Sequence, residues 1–358
     1  MNFNLYFLKS FRILLLPFSL LYGLIIIIRN YLFDQNFLKA GTFNLPLICI
    51  GNLSVGGTGK SPMVEYLLHM FRGKYRVATI SRGYKRKTKG YALANDTTTA
   101  LEIGDEPMQF YLKFPEVAVA VGEERMEAVP QLLHDKPGTE VIILDDAFQH
   151  RWIKAGLNIV LTEYSNLFTR DFFLPTGDLR DQRRSYRRAQ VIFVTKCPAE
   201  FTEADHEKIV KEINPVKGQH IFFTAMAYGI PYHITNHVQR KIQATDEVLL
   251  VCGIANPLPL KNYIMQNAKT YYDHMYPDHH IFTIDDLNDI NSKFIQMQAE
   301  EKVIVTTEKD AVRLIKFDKQ ISDMPLYVLP VKHHILFNQG QQFQNVVLSF
   351  INTFTGRN

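Results

Sequence analysis

The segment Leu47-Ile-Cys-Ile-Gly-Asn-Leu-Ser-Val-Gly-Gly-Thr-Gly-Lys-Ser-Pro62 constrains this chain more than any other. Leu47 to Ile50 reads as a short buried strand. It runs into a loop holding Gly56, Gly57 and Gly59, followed by Lys60 and Ser61. Glycines let a backbone turn sharply and aim its N–H groups inward. Pro62 suits the first turn of a following helix, where its missing N–H has no bond to lose. The helix N-terminus adds partial positive charge at the same point. Such a strand, loop and helix can cradle phosphates, with Lys60 reaching the β- and γ-phosphates of a nucleotide and the Ser61 hydroxyl ligating Mg2+. The usual G-x-x-x-x-G-K-[ST] fingerprint has its first glycine where this chain has Ser54. The competing reading is a glycine-rich turn that only joins strand to helix, but Gly-Lys-Ser after a run of glycines argues against it.

A second element fits the first. Val141 to Leu144 is an apolar strand ending in Asp145 and Asp146, and a carboxylate at the C-terminal edge of a sheet is where a nucleotide-binding α/β protein holds Mg2+. Further unbroken apolar runs occur at Arg76 to Ile80, Val117 to Val121, Leu157 to Leu161 and Val191 to Thr195. Such runs point to parallel strands buried on both faces. Helical patterns at Pro62 to Phe71 and Pro107 to Phe114 lie between them. The expected fold is therefore α/β, a P-loop NTPase-like core with a mostly parallel sheet. A β-rich stretch begins near Tyr228, and a second α/β alternation follows through Glu247 to Cys252, Asn256 to Gln266, Lys302 to Thr306 and Asp310 to Lys316. This predicts an N-terminal segment over 1–34, a nucleotide-binding core over 35–228 and a smaller α/β domain over 229–358 whose tail can pack back on the core.

At 358 residues the chain has room for about two domains. Apolar residues at 46% and charged residues at 21% exclude wholesale disorder. The net charge of +4 gives no reason to expect a nucleic-acid partner. Basic runs at Arg82 to Lys89 and Arg180 to Arg188 read either as solvated loops or as contacts to phosphates or an anionic membrane. Cys49, Cys197 and Cys252 form no CxxC pair, which fits a reducing, cytosolic setting.

Ile13 to Ile28 is nearly all apolar and bracketed by Arg12 and Arg29. It falls short of the roughly 20 residues that span a bilayer, and Pro17 and Gly23 weaken a straight helix. No small-residue cleavage site follows it. A helix lying in or dipping into the membrane surface is expected, with Lys9, Arg12 and Arg29 at the headgroups and Tyr6, Tyr22 and Tyr31 as interfacial aromatics. A buried packing helix or a single span are the alternatives.

Eight motifs then occur in order: the loop from Gly51 to Pro62, Ser81-Arg-Gly-Tyr84, Gly104-Asp-Glu-Pro107, Leu144-Asp-Asp-Ala-Phe-Gln-His150, Leu174-Pro-Thr-Gly177, Gly253-Ile-Ala-Asn-Pro257, Asp278-His-His280 and Thr306-Thr-Glu-Lys-Asp310. As a set they closely resemble the tetraacyldisaccharide 4'-kinase family, over roughly residues 10 to 315. In that family the loop carries Ser at this position and still binds ATP. The resemblance implies transfer of the ATP γ-phosphate to the 4'-hydroxyl of an acylated disaccharide 1-phosphate, giving lipid IVA, at the cytoplasmic face of the bacterial inner membrane. It implies Asp105 and His279 as a catalytic acid-histidine dyad. It gives Ser54, Val55, Gly56, Gly57, Thr58, Gly59, Lys60, Ser61 and Arg82 to the nucleotide, and Ser61, Asp145 and Asp146 to Mg2+. Glu106, Glu308 and Lys309 take supporting roles, or are merely surface ion pairs. Two positions depart from the family pattern: Ala147 replaces a glycine, which matters only if its φ is positive, and Asp181 replaces a Glu. A membrane-associated P-loop ATPase that switches a protein partner is the rival reading, and a nonenzymatic nucleotide-binding scaffold is a third. Oligomeric state is not legible.

Overall fold

The computed structural model describes residues 12–355; Tyr6 and Lys9 lie outside them. Strands in chain order are β1 (Leu47–Asn52), β2 (Val77–Ser81), β3 (Ala92–Leu93), β4 (Ala118–Val121), β5 (Val141–Asp145), β6 (Leu157–Glu163), β7 (Val191–Thr195), β8 (His220–Tyr228), β9 (Tyr232–His233), β10 (Glu247–Cys252), β11 (Thr270–Met275), β12 (Lys302–Thr307), β13 (Leu326–Leu329) and β14 (Val331–Ile335). The first sheet has nine strands in the order β14-β8-β7-β6-β1-β5-β2-β4-β3. Its interior pairs are all parallel, and only the edges β3 and β14 run antiparallel. β1, β2, β5 and β7 are buried at every residue. Helices cover both faces, which explains why these strands carry no polar alternation.

β1 sits at the centre with β5 on one side and β6 on the other, and Ile50 pairs in register with Asp145. The glycine-rich loop thus leaves the sheet beside the acidic strand end, at the crevice where open α/β sheets bind ligands.

A second sheet follows, ordered β11-β10-β12-β13-β9, with parallel interior pairs. The chain crosses from one sheet to the other twice, at Gly229–Pro231 and at Pro330. These crossings lie side by side, with the Gly229 N–H donating to the Pro330 carbonyl at 2.9 Å. The second crossing brings β14 back to pair with β8. The final helix, Gly340–Thr355, then buries Phe343, Val347 and Ile351 against the first sheet, each side chain contributing about 1.5–3 kcal/mol. Residues 331–355 therefore pack with the nucleotide-binding core, not with the second sheet that precedes them in the chain.

The N-terminal helix is longer than its apolar run. A 3-10 turn at Ile13–Leu15 leads into an α-helix over Leu16–Asp34. Pro17 stands in the helix's first turn, where it costs no hydrogen bond. Gly23 faces inward against the Phe173 ring, where a Cβ would come within 2.6 Å. The buried residues are Ser19, Gly23, Asn30 and Phe33, a mostly polar or small stripe at helical spacing. Phe18, Leu21, Leu24, Ile25 and Ile28 are exposed. The usual amphipathicity of a helix on a globular surface is inverted, mostly polar inward and apolar outward. Arg12 is committed to the protein, donating to the Pro175 carbonyl at 2.7 Å and to Asp178 at 2.9 Å. Arg29 donates to the Gln149 carbonyl at 3.2 Å. Neither guanidinium is spent wholly on headgroups, as the sequence had suggested.

Candidate active site

The loop after β1 shows why Ser54 is tolerated. The positive φ values fall at Gly56 (109°) and Gly59 (88°), and not at Ser54. Ser54 is buried and forms a short antiparallel bridge with Leu179. A side chain therefore costs nothing there, whereas one at Gly56 or Gly59 would force an L-residue into a left-handed conformation. A Cβ on Gly56 or Gly57 would meet nothing, so the loop faces open space, as a phosphate cradle must. Val55 is exposed at the loop's rim, and its N–H donates to the Asp178 carbonyl at 2.8 Å.

The carbonyl side of the loop is pinned from below. Thr195, at the end of β7, donates to the Thr58 carbonyl at 2.9 Å, and Asn52 donates to the Thr58 hydroxyl at 3.0 Å. His333 of β14 lies 2.8 Å from the Gly59 carbonyl through Nε2 and 2.9 Å from the Thr224 hydroxyl through Nδ1. Burial pushes this imidazole down to about 4. It is therefore neutral near pH 7, and its Nε2–H donates to Gly59 while Nδ1 accepts from Thr224. With the Thr58 and Gly59 carbonyls anchored behind, the loop's N–H groups are left to face the cradle, except those of Val55 and Thr58, which donate to the Asp178 and Gly56 carbonyls.

Lys60 and Ser61 open the helix Lys60–Phe71. Lys60 Nζ stands 3.7 Å from Asp146, and burial, partly offset by Asp146, lowers its pKa. Asp146 is also gripped by both terminal nitrogens of Arg180. Burial alone would raise the Asp146 carboxyl, but Lys60 and Arg180 outweigh it and hold it below its ordinary range. Asp146, at φ 49°, adopts the left-handed conformation. Ala147 is not among the residues with positive φ, so the missing family glycine carries no backbone strain.

Asp145 behaves differently. It accepts from the Ser81 hydroxyl at 3.2 Å through Oδ2, while Oδ1 is buried with no partner. Burial, reinforced by Asp146, pushes its carboxyl up to about 7. An orphaned carboxylate oxygen beside a phosphate cradle is a fitting place for a divalent cation. Among the described residues no three His, Cys, Asp or Glu side chains form a ready metal cage. That suits Mg2+, which binds through one or two protein groups together with phosphates and water. Asp145 has a partnerless oxygen to offer such an ion, Ser61 stands in the first turn of the helix after the loop, and Asp146 is paired with Lys60 and Arg180. Arg82 is exposed at the end of β2.

The second half of the site comes from across the two sheets. Asp105 opens the helix Asp105–Lys113, beside the first sheet. His279 belongs to a loop after β11, at φ 64°, and its N–H donates to the Gly253 carbonyl. Its Nδ1 lies 3.1 Å from Asp105 Oδ2. Gly104, just before Asp105, packs on Gly83 and Tyr84 beyond the end of β2, and Glu106 acts electrostatically on Lys60 and Asp145, so the start of the Asp105 helix faces the strand-end crevice. Lys309 reaches Glu106 at 3.1 Å. Glu308 and Glu65 both pair with Lys113. Glu308 and Lys309 therefore bind the Asp105 helix and are not free surface charges.

Asp181 is committed to partners other than the strand-end aspartates. It is buried, and accepts from Asn30 at 2.7 Å and Ser185 at 2.9 Å, with Arg188 at 2.9 Å. It ties the N-terminal helix to the core. The segment from Phe172 to Asp181 contacts that helix on one side through Ser19–Thr176 and Tyr22–Arg180 bonds. On the other side it contacts the loop after β1, through Val55 and the Arg180 N–H to the Leu53 carbonyl.

Arg125, Arg180, Arg313 and His333 were not singled out individually from the sequence. Arg125 is buried against the Asp145 carbonyl at 3.5 Å. Only Arg180 left a signal, as the first residue of a basic run.

A glycine-rich loop over a helix N-terminus, a half-buried lysine, a strand-end aspartate and a carboxylate–imidazole pair define a P-loop phosphotransferase. Residues 11–352 match the family model described as tetraacyldisaccharide-1-P 4'-kinase. The chain is 42% identical to a tetraacyldisaccharide 4'-kinase of Bacteroides thetaiotaomicron, covering 94% of this chain and 92% of that one. It is 44% identical to that of Flavobacterium johnsoniae, covering 95% and 97%. The crystal structure of LpxK from Aquifex aeolicus in complex with ATP superposes with a TM-score of 0.75 at 28% identity, covering 95% of this chain and 99% of that one. The chain belongs to the tetraacyldisaccharide 4'-kinase family.

Proposed function

We propose that this protein transfers the γ-phosphate of ATP to the 4'-hydroxyl of a tetraacyldisaccharide 1-phosphate, giving lipid IVA in lipid A synthesis. The observation that carries the reading is the placement of the His279–Asp105 pair, 3.1 Å apart, against a phosphate cradle. A sugar hydroxyl is a poor nucleophile, and a base near it accelerates transfer. Asp105 orients the imidazole through Nδ1, so Nε2 takes the hydroxyl proton as the sugar oxygen bonds to the γ-phosphorus and the bond to the β-phosphate oxygen breaks. ADP departs with that electron pair.

The N–H groups of Gly56, Gly57, Gly59, Lys60 and Ser61 and the Lys60 ammonium hold the phosphates in line, and Arg82, exposed at the end of β2, adds positive charge for them. Mg2+ bound through Ser61 and Asp145 would supply neutralisation of the developing charge. Arg180 and Lys60 restrain Asp146, which positions the strand end more than it ligates.

The inverted N-terminal helix supports placement at the cytoplasmic face of a bacterial inner membrane. Its apolar face meets the bilayer while Ser19, Asn30 and Tyr22 hold it to the core. It enters the bilayer beside the segment that touches the cradle, where an acylated substrate would present its headgroup. The division at residue 229 fits a core that binds nucleotide and a second body that delivers His279.

The test is product identity. With γ-labelled ATP and the acylated disaccharide 1-phosphate in mixed micelles, label is expected on the lipid. Label appearing only as free phosphate would favour an ATPase switch and overturn the assignment.

A further inference from the structure

Asp105 and His279 are not a closed pair. Arg313, on the helix Glu308–Leu314 of the second body, donates through Nε to Asp105 Oδ1 at 3.1 Å and through Nη2 to Oδ2. The same Nη2 lies 3.0 Å from His279 Nδ1. One guanidinium therefore touches both members. We propose that Arg313 is a positioning residue for phosphoryl transfer, whose planar fork fixes the Asp105 carboxylate so that Oδ2 faces His279 Nδ1. The inference rests on the roles given above to Asp105 and His279.

A fork-to-fork pair fixes the rotation of a carboxylate as well as its charge. Without it, Asp105 at the start of its helix would be free to turn about its side-chain bonds. Nδ1 has a single in-plane site, so it either donates to Asp105 or accepts from Arg313. Holding both carboxylate oxygens keeps Asp105 an acceptor for the ring. With the proton on Nδ1, Nε2, which has the Asp278 carboxylate 3.7 Å away, is the unprotonated nitrogen that takes the sugar hydroxyl proton. Arg313 side-chain exposure is only 8%, so water does not compete strongly for these contacts.

The second body treats Arg313 and His279 as one unit. Asp310 is fully buried, accepts from the Gly253 N–H at 3.0 Å and the Thr307 hydroxyl at 2.7 Å, and stands 3.5 Å from Arg313 Nη1. Gly253 in turn accepts from the His279 N–H. The strand ends of β10 and β12 thereby set imidazole and guanidinium at a fixed separation before either meets Asp105. Docking of the two bodies does not need Arg313 for its own sake, because Lys309–Glu106 and Lys113–Glu308 already bridge them.

The experiment compares the full-length wild type with Asp105→Ala, Arg313→Met and Arg313→Lys in the lipid kinase assay, with ATP titrated and folding followed by circular dichroism. Arg313→Met is expected to lower kcat by about 10²-fold, the cost of roughly an ångström of misplacement, with KM for ATP within about threefold. Arg313→Lys keeps the charge but not the fork, and is expected to recover only part of kcat. Full activity in Arg313→Met beside an inactive Asp105→Ala would overturn the inference while leaving the dyad standing. Loss of kcat in Arg313→Lys accompanied by a matching rise in KM for ATP, or by loss of folded signal, assigns a structural role and likewise overturns it. Full activity of Asp105→Ala rejects the dyad itself.

Discussion

The two halves of the active site are held in different ways. The phosphate half lies within one sheet: β1 supplies the loop, β5 supplies Asp145, and β7 and β14 pin the loop's carbonyls from below. The acceptor half exists only where two bodies meet, with Asp105 from one and His279 and Arg313 from the other. A cradle built inside a single parallel sheet is preorganised before substrate arrives. A catalytic pair built across an interface is complete only while that interface is closed. The comparison teaches that nucleotide binding and phosphoryl transfer should be separable by substitution.

The largest separation is expected at Lys60. Lys60→Met removes the cation from the transferring phosphate and should lower kcat by about 10²–10³-fold, with Asp146 still paired to Arg180. Steady-state label transfer checks it, and a small effect would remove the phosphate half from the account.

Next comes the surface from which the lipid arrives. Leu24→Glu places a charge on the outward face of the N-terminal helix without touching its buried stripe. The charge costs about 2.5–3.5 kcal/mol in a bilayer, so binding to anionic vesicles should fall by roughly 10²-fold while the melting temperature stays put. Unchanged vesicle binding would end the membrane reading of this helix.

A smaller effect is expected beneath the loop. His333→Leu deletes one of the two donors to the Gly59 carbonyl, the other being the Met63 N–H at 3.2 Å, and removes the ring acceptor of the Thr224 hydroxyl. KM for ATP should rise about tenfold, equivalent to ~1.4 kcal/mol, with kcat little changed. An equal fall in kcat and unchanged KM would show that the loop is not what His333 supports.

The smallest effect concerns the link between the halves. Burial, with Glu308 alongside, pushes the Glu65 carboxyl up to about 7, although Lys113 opposes the shift. The folded state then binds this proton more tightly than the unfolded chain, whose glutamates titrate near ~4.3. Stability contributed by the protonated form is present at low pH and is lost as pH rises through about 7. Glu65→Gln should flatten the decline in melting temperature between about pH 5 and pH 7. A steeper decline in the variant would reverse the sign of this argument.

How much of this was legible follows the same division. The phosphate half is local in sequence, so strand, glycines, Lys60 and Ser61 read directly, and Val141 to Asp146 announced the acidic strand end. Ser54 looked like a defect because a pattern cannot say which loop positions need positive φ; only Gly56 and Gly59 do. Asp105 and His279 were readable through the family motifs, not from local chemistry. Arg313 and His333 were not readable at all, since they meet their partners across 208 and 274 residues of chain. β14 in particular returns to the first sheet after the second has formed, and no local pattern marks that crossing. The N-terminal helix was legible as apolar, but its inverted face was not, because Gly23 read only as a weak point of the helix and in fact belongs, with Ser19 and Asn30, to its contact stripe.

The most direct test measures ATP affinity and label transfer on one variant, His279→Ala. The account predicts ATP binding equal to that of wild type with transfer of label to the acylated disaccharide lost. Transfer at the wild-type rate, or loss of ATP binding together with transfer, would contradict it.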